Sequence, residues 1–227
     1  MSSPDPSAPM ALPAPAADEA ASASSARAPR RARGQLRVDA LLASAAEVFA
    51  QKGFDAATMT EIAAQADSSI GSLYQFFRTK EAVAAALLQT QVDALWQRFD
   101  ALAERAAALT TPELGGVLVR FFVDFRSAHP SFGTLVDMPG PPLQLIVGVR
   151  SKVRERVQDL LARHAPAADR ETLHAMAPIV QHAMKIAIQL RADLDDAERA
   201  AAMRELETML AGYLAARLAG AAGDAAA

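Results

Sequence analysis

Gln75, Ser72 and Ile70 lie within six residues of one another, and their side chains suit the edges of DNA bases. The Gln75 amide can bond adenine bidentately, the Ser72 hydroxyl can bond a base or a phosphate, and an exposed Ile70 would meet a thymine methyl. Little else in the chain is reactive. The absence of cysteine removes disulfides, thiolate metal sites, redox pairs and cysteine nucleophiles. There is no glycine-rich phosphate loop, no nucleophile elbow and no carboxylate pair with an evident partner base, so the chain is not expected to be an enzyme or to carry a cofactor. His129, Asp137, His164, His174 and His182 are scattered along the sequence. His174 and His182 would stand two helical turns apart, roughly 12 Å, with no carboxylate four residues from either, so no metal site is expected.

Base-reading residues need a rigid frame, and the surrounding sequence supplies one. Between Gln35 and Thr111 there is no proline, and Leu41, Ala45, Val48 and Phe49 fall on one face of a helix that Gly53 should stop. Thr58 precedes Glu61 by three residues, a capping-box pattern that opens a short helix with Ile62, Ala63 and Ala66 inside. Asp67-Ser68 makes the turn, since Asp tolerates the left-handed conformation. Ser69 can cap a third helix with Leu73 and Phe77 buried, which leaves Ile70, Gly71, Ser72, Tyr74 and Gln75 facing outward. Thr79 can cap a fourth. Three short helices with a tight turn between the second and third form a helix-turn-helix, whose last helix enters a major groove.

Composition agrees with helix throughout. About a quarter of the 227 residues are alanine, and Val, Ile, Thr and Tyr are sparse, which favours an all-α fold. Uncharged stretches such as 172–184 are too short to span a bilayer, and no signal sequence opens the chain, so a cytoplasmic protein with no membrane partner is expected. The net charge of -3 is unevenly placed. Residues 27–80 carry eight basic and five acidic side chains, and only they suggest a polyanion partner, here double-stranded DNA. Residues 1–34, rich in Pro, Ala and Ser, read as a disordered leader ending in a basic arm, Arg30, Arg31 and Arg33, that could reach a minor groove. The helix-turn-helix domain then covers 35–80, a second helical domain 81–220, and a flexible tail 221–227.

The second domain reads as long helices. Its segment near 169–191 has two apolar stripes: Leu173, Met176, Val180, Met184 and Ile188 on one side, Ile179, Ala183, Ile186 and Leu190 on the other. Pro178 should kink or split it. The segment near 195–219 is similar, with Met203, Leu206, Leu210, Tyr213 and Leu214 beside a second row of Ala202, Met209 and Ala216. A helix apolar on two sides needs two partners.

The run from Thr58 to Ala63, and then from Ala66 through Leu73-Tyr74-Gln75-Phe76-Phe77 to Thr79-Lys80-Glu81-Ala82, resembles the signature of TetR-family transcriptional regulators. Asp67-Ser68 departs from the family's usual Gly-Val turn, and Ile70 stands where a polar residue is frequent. The resemblance implies an N-terminal three-helix helix-turn-helix domain and a C-terminal helical ligand-binding and dimerisation domain. It also implies phosphate contacts from Thr58, Ser69, Tyr74 and Lys80. By that likeness the protein is a ligand-released repressor that binds a palindromic operator as a homodimer, through the helices near 169–191 and 195–219, and answers to an unknown small-molecule effector. Candidate pocket residues are Trp96, Phe99, Phe121, Phe122, Phe125, Phe132, Met138, Met176 and Met184, with Arg126, His129 and His182 as polar groups, although Phe122 is turned away from Phe121 and Phe125 and the three cannot all line one cavity. The alternative is a helical protein–protein adaptor or small-molecule carrier without specific DNA binding.

Overall fold

A computed structural model describes residues 17–136 and 143–223. The described residues are helical, with no strand. In order they form α1 (Ala17–Ala56), α2 (Met59–Gln65), α3 (Ile70–Phe76), α4 (Lys80–Arg105) with a 3₁₀ turn at Ala106–Ala108, α5 (Thr111–Ala128) and α6 (Pro130–Val136). Then come α7 (Leu143–His164), α8 (Arg170–Asp193) and α9 (Asp196–Gly223). The chain divides into two compact units, residues 1–40 and 41–227.

The described part of the first unit is the N-terminal stretch of α1, which begins at Ala17 and so runs through much of the expected disordered leader. Low apolar content argues against a core there, but Ala, Glu and Arg, which recur in this stretch, are among the residues of highest intrinsic helix propensity. Gln35 Nε2 donates to Asp39 Oδ1 one turn on, at 2.8 Å. Residues 1–16 lie outside the described residues. At the other end, α9 continues to Gly223, three residues into the expected tail, and 224–227 lie outside the described residues.

In the second unit the helix boundaries follow the capping residues. Thr58 and Thr110 each form a complete capping box with the glutamate three residues on, while Ser69, Thr79 and Asp169 each accept from the third backbone N–H beyond them. Gly53 breaks the helical dihedrals of α1 at φ 77, a left-handed value that side chains disfavour.

The helix α4 begins beside the helix-turn-helix and runs on for 26 residues, so its two ends serve different parts of one unit. Its buried residues, among them Val83, Leu87, Leu88, Val92, Leu95, Phe99 and Leu102, keep helical spacing from end to end. No break falls at the expected boundary between 80 and 81. Further along, α5 packs against both α8 and α9, α7 packs against α8, and α4 packs against α6 and α7. The Phe99 and Phe121 rings lie 4.3 Å apart, and Phe125 meets Phe132 edge-on at 5.1 Å. Although Pro178 removes one backbone donor, α8 is a single helix across it.

Candidate nucleic-acid interface and ligand cavity

The helix-turn-helix is assembled from 41–56 of α1 together with α2, α3 and the start of α4. Leu41, Ala45, Phe49, Ile62, Ala63 and Leu73 are each no more than 2% exposed and form its core. The turn between α2 and α3 closes as a Schellman motif: Ser68 N–H donates to the Ala63 carbonyl at 2.9 Å and Asp67 N–H to that of Ala64 at 3.1 Å. Asp67 takes φ 46 at the position where glycine is usual, so the departure from the familiar turn costs some strain but no hydrogen bond.

Polar side chains tie α2 to α1. Lys52 donates to Glu61, and Gln65 to Glu47. The Glu61 carboxyl is held below its ordinary pKa, first by that Lys52 bond and then by the Thr58 hydroxyl and backbone. With α2 fixed in this way, the turn and both hydroxyl caps set the direction in which α3 points.

The exposed side of α3 carries the residues the sequence singled out. Ile70 and Tyr74 are 39% and 49% exposed, Gln75 is exposed, and Ser72 is half-buried. The Ser69 hydroxyl accepts from Ser72 N–H, which leaves its own proton to donate. Phe76, 39% exposed on the same helix, was not singled out from the sequence. Its i+3 spacing from Leu73 reads as core, and only the orientation of α3 places it outside.

Two of the four expected phosphate contacts are engaged within the protein. The Lys80 ammonium donates to the carbonyls of Phe54, Asp55 and Ala57 at 2.7, 3.0 and 2.9 Å and lies 4.5 Å from the Phe54 ring centre. Those bonds use all three of its protons. The Thr58 hydroxyl both donates to and accepts from Glu61. Tyr74 and Ser69 keep a free edge, whereas Lys80 and Thr58 hold the head together. In the first unit Arg33 is exposed, while the side chains of Arg30 and Arg31 lie outside the described residues.

Behind the head, a cavity of about 340 Å³ lies among α4, α5, α6, α7 and α8, within the size range of small-molecule sites. Leu88, Val92 and Leu95 of α4 line it together with Phe122, Phe132, Val136, Val149, Val153 and Ile188. Arg126, Arg150, Gln181, Lys185 and Gln189 are its polar lining. Gly133 gives Arg126 room, since a methyl there would lie 3.0 Å from the guanidinium.

Of the pocket residues expected from sequence, Phe122, Arg126 and Phe132 line this cavity among the described residues. Phe121, Phe125, Met176 and Met184 are buried in the core and are not in its lining. Phe99, also buried, borders a different hollow with Asp100, Arg156 and Asp159. Trp96 packs at 6.2 Å on Phe99, and His129 stacks at 4.5 Å on Phe125, its pKa pushed down first by burial and then by Arg98. His182 is exposed and donates to the Pro178 carbonyl at 2.7 Å. Met138 lies outside the described residues, as does Asp137.

The sequence reading passed over Gln181, Lys185 and Gln189. Their spacing of four places a polar row along an otherwise apolar helix, which was the available signal. No helix among the described residues is long and apolar enough to cross a membrane.

Residues 41–87 match the bacterial regulatory proteins of the tetR family, and residues 112–214 match the tetracyclin repressor-like C-terminal domain. Over 95 residues the chain is 34% identical to the HTH-type transcriptional repressor KstR2 of Mycolicibacterium smegmatis, a match covering 41% of this chain and 45% of that protein. The chain therefore spans less than half the length of this curated relative. Among solved structures, a transcriptional regulator from Cytophaga hutchinsonii superposes with a TM-score of 0.60 at 18% identity, covering 79% of this chain and 98% of that one. The fatty acid degradation regulator FadR from Bacillus halodurans gives 0.55 at 18% identity, covering 77% and 94%. At such identities these two establish the fold alone. The two matched segments together take in most of the chain, and the helix-turn-helix and the helical domain behind it are each accounted for: the protein belongs to the TetR family of DNA-binding transcriptional regulators.

Proposed function

We propose that this regulator is a homodimeric repressor that binds a palindromic operator and leaves it when a small molecule fills the cavity behind the head. The observation that carries the reading is the second apolar stripe of α8 and α9. Ile179, Ile186 and Met209 are 53%, 39% and 56% exposed, whereas Met176, Val180, Met184, Leu206, Leu210 and Leu214 on the opposite sides are buried. A row of large apolar side chains on the surface of two adjacent helices is what an intermolecular four-helix bundle would cover. Ile186→Asp should raise the dimer dissociation constant by at least about a hundredfold, because a charge would enter the seam from both copies. Sedimentation should show the monomer, and operator affinity should fall with it. An unchanged dimer would place the interface elsewhere.

In a two-fold dimer the α3 helices would sit about 34–36 Å apart, one turn of DNA or slightly more. Ser72, Gln75 and Ile70 would then meet base edges, with Ser69 and Tyr74 on phosphates. Gln75→Ala should relax base preference at one position per half-site by about 1–3 kcal/mol and leave the salt dependence unchanged. Unaltered preference in binding-site selection would remove Gln75 as a reader. A ligand acts by stabilising the dimer geometry whose reading heads no longer match the groove spacing.

Selection of bound fragments from random duplex DNA at two salt concentrations tests the whole reading. A palindrome with half-sites about one helical turn apart supports it. Weak, sequence-blind and salt-labile binding overturns it.

A further inference from the structure

The cavity behind the head has a chemical bias that its family does not dictate. Lys185 and Arg150 both line it, and neither forms an ion pair with a carboxylate among the described residues. Burial holds the Lys185 ammonium below its ordinary pKa, and the neighbouring Arg150 and Arg154 push in the same direction. Leu88, Val92 and Leu95 of α4 contribute only hydrocarbon to its lining.

A second observation comes from Gln181, which is 2% exposed. Its Nε2 donates to the Arg150 carbonyl at 2.9 Å, while its Oε1 is buried with no donor. A buried acceptor without a partner is costly, and it lies in the lining of this cavity.

From these features we infer that the effector is an amphipathic anion, with a carboxylate or phosphate head on Lys185 and Arg150, an apolar body against α4, and an N–H or O–H group within reach of Gln181. The inference rests on the proposed ligand-responsive reading but concerns only the chemistry of the cavity. An anion would offset the positive charge around Lys185 at the same time as it gained charge-assisted hydrogen bonds. A neutral or cationic ligand of equal apolar area would have neither gain.

Isothermal titration of the full chain with decanoate, decyl phosphate, decanol and decyltrimethylammonium, each below its micellar concentration, tests this. Decanoate or decyl phosphate should bind once per chain and at least about tenfold tighter than decanol, the size of one charge-assisted hydrogen bond. Inorganic phosphate and acetate, lacking the apolar body, should bind far more weakly than either. Lys185→Met and, separately, Arg150→Met should each weaken decanoate about tenfold, leave decanol unchanged, and preserve the melting temperature, since each removes a charge rather than a packing group. Decanol binding as tightly as decanoate overturns the inference, as does decanoate affinity unmoved in both variants. If decanoate fails while the protein still selects a palindrome, the ligand class falls and the regulator reading stands. If decanoate binds and no operator is selected, the reverse holds.

Discussion

Replacing Lys80 with methionine will destabilise the reading head by about 3 kcal/mol, and DNA affinity will fall for every sequence because the head loosens. The ammonium closes three carbonyls at the end of α1 and in the link to α2, those of Phe54, Asp55 and Ala57. Hydrogen bonds to a charged donor contribute about 1.5–3 kcal/mol each, and less where water reaches them, as at Asp55. Methionine keeps an apolar side chain of similar length and removes the donors together with the ammonium's contact over the Phe54 ring. Denaturant unfolding gives the stability, and titration of DNA binding against salt separates the two roles. A phosphate contact would leave stability unchanged and reduce the salt slope by about one. A structural lysine lowers stability and leaves the slope as it was.

Gly115→Leu will have the second large effect, about 3 kcal/mol or more in thermal or denaturant unfolding. A methyl at Gly115 would stand 3.0 Å from the backbone nitrogen and 3.1 Å from the Cα of Ala211. Those are main-chain atoms of α9, so no side-chain rotation can relieve the contact; α5 and α9 must separate. Gly115→Ala should cost less, since a shift of a few tenths of an ångström suffices. Gly148→Ala in α7 is the control. Nothing lies within 4 Å of that position, and the change should be neutral or stabilising by up to about 1 kcal/mol. Equal effects at both glycines would mean that helix propensity, not the approach of α9, governs Gly115.

Much of the reading head was legible because its signals are local. A cap hydroxyl, a glycine stop or a left-handed Asp acts on backbone groups within four residues of itself, so spacing alone identifies Thr58, Ser69, Gly53 and Asp67. The core faces of the short helices follow from the same 3.6-residue period. Lys80 was harder. Its three acceptors lie 23 to 26 residues away, and no local rule distinguishes a lysine that closes carbonyls from one that faces phosphate.

The cavity was the least legible part. Phe99, Phe121, Phe125 and Met176 have the composition of a ligand site, but large apolar side chains fill a core and line a pocket equally well. Which they do depends on how α4, α5, α7 and α8 are rotated about their axes. That rotation is set by packing over the whole bundle, from contacts such as Gly115 against Ala211, and it brings Leu88, Val92 and Lys185 to the cavity while burying Phe121 and Phe125 in the core.

The sequence by itself determined that this protein is all helix, that Thr58 to Lys80 form a helix-turn-helix with Ile70, Ser72, Tyr74 and Gln75 outward, and that α8 and α9 each carry two apolar sides. Only the tertiary structure decided which of those sides is left exposed, which lysine holds the head together, and which cations share a cavity. The first group depends on hydrogen bonds and periodicity within a few residues. The second depends on side chains tens of residues apart, whose meeting is fixed only when the helices pack.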